Sequence, residues 1–78
     1  MRVVANIPHP NCHINIFQMN DKFIIKIEKS NLEQSYKISQ MDVMTIEEIK
    51  LLITDDFMSK VLERFKEMEQ DLDTAIGQ

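Results

Sequence analysis

The amino-acid sequence predicts a two-layer α+β fold: a four-stranded antiparallel β-meander in the order 1-2-3-4, followed by two C-terminal helices packed on one face (ββββαα). Three observations carry this expectation. Apolar and polar residues alternate with a period of two up to residue 40. Short turn-forming segments, "PHPN", "ND" and "SN", divide that region into four runs. Helical spacing takes over after residue 45, opened by the capping box "TIEE".

The strands are expected near residues 2–7, 12–19, 22–29 and 33–39. Their register can be tested, because successive strand side chains face opposite ways and a slip of one residue would scramble the faces. A two-residue loop at Asn20-Asp21 sets Ile16 against Ile25, Ile14 against Ile27 and Gln18 against Phe23. A loop at Ser30-Asn31 adds Tyr36 opposite Ile25 and Ile38 opposite Phe23. A loop of Pro8 to Asn11 pairs Ile7 with Cys12, Ala5 with Ile14 and Val3 with Ile16. All three loops agree on one apolar face that runs from Val3, Ala5 and Ile7 to Tyr36 and Ile38. Gln18 and Gln34 interrupt it and are expected near the sheet ends.

The other face carries Phe17 directly opposite Ile24, with Val4, Met19 and the stems of Lys26 and Lys37 nearby. It is less polar than a fully solvated face.

After the apolar linker "MDVM", the first helix is expected at about 46–53 and the second at about 55–76. Thr45 with Glu48 caps the first, Thr54 or Asp55 the second, and Gly77 suits the C-terminal end. At about 1.5 Å per residue, a helix of about 21 residues is longer than a seven-residue strand. Part of it must overhang the sheet. Met58, Val61, Phe65, Met68, Leu72 and Ala75 follow the 3,4 spacing of a helix-helix seam, with Ile76 beside the last of them. The stripe can pack within one chain or between two.

Seventy-eight residues make a single domain spanning 1–78, and a chain of this size is marginal without a disulfide, a metal or a partner. One cysteine excludes an internal disulfide. The apolar run at the N-terminus is broken at Asn6 and Pro8, too soon for a signal peptide or membrane span, which points to a cytoplasmic protein. Residues 1–40 carry five basic and three acidic side chains (+2), and residues 41–78 carry four basic and ten acidic (−6), together the net −4. The contrast is compatible with self-association through opposite patches and argues against a broad polyanion-binding surface.

The stretch "HPNCH" gathers His9, Cys12 and His13. Structural zinc sites commonly use two separated ligand pairs, and no second cluster follows downstream. The register also sends Cys12 inward and His13 outward, so a turn with a buried thiol is favoured over a metal or thiol site there. No cofactor is implied. There is no glycine-rich phosphate loop and no Ser/His/Asp arrangement with supporting context, so no catalytic activity is expected.

The leading expectation is therefore a small protein-interaction module, self-associating as a homodimer or binding another protein, with Phe17, Ile24, Phe65, Met68 and Leu72 as its interaction surface. One alternative is single-stranded nucleic-acid binding on the outer sheet face through Phe17, Lys22, Lys26 and Lys37. The other is the His9, Cys12, His13 site at the first hairpin.

Overall fold

A computed structural model describes residues 2–39, 41 and 45–77 of the chain. Four strands, β1 (Arg2–Ile7), β2 (His13–Met19), β3 (Lys22–Lys29) and β4 (Leu32–Ser39), are followed by α1 (Ile46–Leu52) and α2 (Asp55–Ile76). The strands form one antiparallel sheet in the order β1-β2-β3-β4, which is the ββββαα architecture expected from the sequence. Of the apolar linker, Met41 is exposed, and 42–44 lie outside the described residues.

The two short hairpins have the expected register. Ile16 faces Ile25 and Ile14 faces Ile27, and across the next pair Ile25 faces Tyr36 and Phe23 faces Ile38. Asn20 and Ser30, each at the first loop position, hold φ at 55°. Such left-handed residues match the loop to the right-handed twist of the strands.

The first hairpin differs from expectation. Ile7 pairs with Ile14 rather than Cys12, and Ala5 pairs with Ile16 rather than Ile14. Pro8 and Pro10 offer no N–H to a ladder, and the Asn11 N–H is taken by His9 Nδ1 at 3.1 Å, so the loop stays wide. A shift of two residues preserves parity, and Ala5 and Ile7 still pack against the core. A bulge between Val3 and Ala5 then reverses the parity of the first residues of β1. Val3, expected inside, lies opposite Phe17 and is 56% exposed, whereas Val4, expected outside, packs on the core. The bulge also distorts the free edge of β1, where a regular strand would invite pairing with another chain.

Thr45 caps α1 by accepting the Glu48 N–H at 3.1 Å, and Thr54 caps α2 by accepting the Phe57 N–H at 3.1 Å. Asp55 and Asp56 in the first turn of α2 complement the helix dipole. Gly77 ends α2 at φ 92°, in the left-handed region, and its N–H reaches the Asp73 and Thr74 carbonyls.

Both helices cover the inner face. Ile14, Ile16, Ile25 and Ile27 of the sheet meet Ile49 of α1 and Met58, Val61 and Phe65 of α2 in one apolar cluster. Gln34, expected as a weak spot near a sheet end, is instead buried opposite Ile27 and ties β4 to α2. Its Nε2 donates to the Val61 carbonyl at 3.0 Å, and its Oε1 accepts from Arg64 Nη1 and Tyr36 Oη, both at 3.1 Å. Arg64 Nη1 also donates to Tyr36 Oη at 2.7 Å, and the Tyr36 ring packs on Phe57 with centroids 5.5 Å apart.

Candidate functional site

The stripe on α2 divides into two parts. Met58, Val61 and Phe65 are buried against the sheet of their own chain, so Phe65, expected in the interaction surface, belongs to the core. Met68 is half-buried at the edge of that core. Beyond it the same line emerges into solvent, with Leu72 39% and Ile76 63% exposed and every residue from Glu69 to Gly77 exposed. Eight helical residues past Met68, at about 1.5 Å each, make a projection of about 12 Å. The long axis of the molecule, 43 Å against 25 and 19 Å, is consistent with that overhang.

The direction of the overhang follows from the docking of α2 on β4. Phe57 lies on Tyr36 and Val61 on Gln34, so α2 advances toward the start of β4 and leaves the sheet at the rim formed by the β1–β2 loop and the β3–β4 turn. An open cavity of about 280 Å³ lies at this rim, lined by His9 to His13, Lys29 and Ser30. Within it Cys12 Sγ is 3.6 Å from His9 Nδ1. Nδ1 also accepts the Asn11 N–H at 3.1 Å, so its one lone pair is already engaged and the longer sulfur contact is a weak one. Burial pushes the Cys12 thiol up, only partly offset by the positive charge of Lys29. A nucleophile or metal ligand requires the thiolate, and this setting disfavours it. His13 lies opposite Glu28 and is exposed, while Cys12 packs inward. Among the described residues no three His, Cys, Asp or Glu side chains converge.

On the outer sheet face, Phe17 and Ile24 are paired as expected. Ile24, however, is only 7% exposed and offers little contact surface. Its cross-strand neighbours Phe17 and Lys37 flank it, and Lys26 Nζ sits 5.2 Å from the Phe17 ring centroid. That cation–π contact occupies the ring that a base would stack on, and Glu33 lies 4.0 Å from the same ammonium. Glu28 faces Glu33 across the strands, adding negative charge to this face.

Further exposed apolar side chains, Leu51 and Leu52 of α1, were not singled out from the sequence. Ile46, Ile49 and Ile53 take the inward face of this short helix; Leu51 lies on the opposite side, 76% exposed, and Leu52, three residues after Ile49, sits at the border of the inward face and is 46% exposed. No described helix is long and apolar enough to cross a membrane. In comparisons with protein-family models, curated proteins and solved structures, the chain has no significant match.

Proposed function

We propose that this chain is a small protein-interaction module that associates with a second copy of itself through the distal half of α2, and that its role is binding rather than catalysis. The observation that supports this reading is the continuation of the α2 stripe beyond the core: Met68, Leu72, Ala75 and Ile76 keep the spacing of a helix-helix seam after the sheet has ended. Burying a fully exposed Leu or Ile side chain is worth about 1.5–3 kcal/mol, and a second helix supplies the part of this still open to water at Leu72 and Ile76. A contact of about two helical turns per chain falls in the small-interface class below about 1,200 Å², so the association is weak and concentration-dependent. The buried, disfavoured thiolate of Cys12 supports a non-catalytic role. A cytoplasmic setting suits a chain whose one cysteine is a free thiol.

The test is light scattering on the intact chain and on a variant carrying Leu72→Glu with Ile76→Glu. Both side chains are exposed, so the fold should persist by circular dichroism. The parent should approach dimer mass as concentration rises, and the variant should remain monomeric. A parent that is monomeric at about 0.5 mM, where even weak complexes are substantially populated, overturns the proposal.

A further inference from the structure

We infer that the two copies pair with their α2 overhangs antiparallel, so that the acidic last turns of each α2 rest against the rim of the partner's sheet beside Lys29. The inference rests on the self-association proposed above and adds its geometry and its second contact.

Steric placement selects the orientation. Met58, Val61 and Phe65 face the sheet, and Met68, Leu72 and Ala75 continue the same line on the same side of the helix. A partner helix lying on the distal stripe therefore occupies the side on which the sheet already sits. If the helices ran parallel, each partner's sheet would have to fill the space of the other. Antiparallel pairing removes the conflict, because each sheet then lies beyond the end of the opposite helix. With overhangs of about 12 Å laid side by side, the tip of one helix is level with Met68 of the other, where the rim begins.

Charge supports the same contact. The α2 tip carries Glu69, Asp71 and Asp73, its C-terminal carbonyls hold the negative end of the helix dipole, and no basic residue lies in the last turn. The rim offers the reverse. Lys29 lies across from Leu32, on the same face as Ile25 and Ile27, and therefore on the helix side of the sheet. It is exposed and forms no ion pair among the described residues. Glu28 and Glu33, its acidic neighbours, point to the opposite face. His9 lines the same opening.

A charge exchange tests this contact separately from dimerisation itself. Lys29→Glu alone, or Asp71→Lys with Asp73→Lys, places like charges at both rim contacts of a homodimer, and each variant should self-associate about tenfold more weakly than the parent. Mixed together, the two variants should pair selectively, since one new contact joins Glu to Lys and the other keeps Lys29 against Asp71 and Asp73. Native mass spectrometry with one variant isotopically labelled should then show heterodimers well above the statistical half of all dimers. In a third variant, Ala75→Cys, on the seam itself, parallel pairing would set residue 75 against its counterpart, whereas the antiparallel overlap offsets the two by about 7.5 Å along the helix, beyond easy disulfide reach, so mild oxidation should leave them unlinked. Statistical mixing, or efficient cross-linking of residue 75 to its counterpart, overturns the antiparallel arrangement while leaving self-association standing. A monomeric parent removes both.

Discussion

Replacing Gln34 by Met should destabilise the fold by about 2 kcal/mol, and the structure indicates where that loss comes from. Met nearly matches the volume of Gln, so the cost of a cavity is avoided and the polar contacts are isolated. Three hydrogen bonds disappear: Nε2 to the Val61 carbonyl, and those from Arg64 and Tyr36 to Oε1. Net values run to about 1 kcal/mol for each neutral bond and about 1.5 for the one from Arg64. The sum is discounted because Arg64 is exposed and regains water, and because Arg64 and Tyr36 keep their own contact at 2.7 Å. The assay is urea denaturation at fixed low protein concentration, so that self-association does not enter. The midpoint should fall with an unchanged slope, and the melting temperature should drop by about 8–16 °C for a chain of this length. A second variant, Arg64→Met, completes a double-mutant cycle. A Gln34→Met chain within about 0.5 kcal/mol of the parent, or a cycle with no coupling between positions 34 and 64, would refute the view that this polar cluster fastens α2 to β4.

Further outcomes follow from other local features. Ile24→Ala should cost about 2 kcal/mol despite its place on the outer face, because the side chain is buried there; a neutral result by thermal melting would mean that face is open. Ser30→Gly should raise stability by a few tenths of a kcal/mol to about 1, since φ 55° strains serine and not glycine, and an unchanged melting point would contradict that backbone geometry. The raised thiol of Cys12 has a definite sign. Its folded pKa lies above its unfolded one, so stability is level below the ordinary thiol range and declines as pH rises through it, and Cys12→Ala should remove that alkaline decline in pH-dependent denaturation.

The folded chain departs from sequence-based expectation at the places where contacts between distant elements compete with local pattern. Ile24 reads as an exposed member of an alternating strand. It is buried because Phe17 on one neighbouring strand and Lys37 on the other close over it. Phe65 belongs equally well to a core or to a seam by spacing. It is claimed by the core because the sheet extends far enough beneath α2 to cover it. Gln34 breaks the apolar face in the sequence and becomes the polar fastening between layers once Arg64 and Tyr36 are brought to it. The signal for that cluster was faint, since thirty residues separate Gln34 from Arg64.

Local chemistry alone determined the element order, the two short hairpins, both helix caps and the glycine stop, because each depends on residues within one turn or one alternating run. It could not determine how wide the proline-bearing first loop would open, nor the bulge that sends Val3 outward. Those outcomes depend on cross-strand partners, and a parity change near a strand end costs little until neighbours are in place. The exposed extent of the α2 stripe was likewise decided only in three dimensions: periodicity marks a face, whereas the length of the sheet beneath it sets where that face loses its partner.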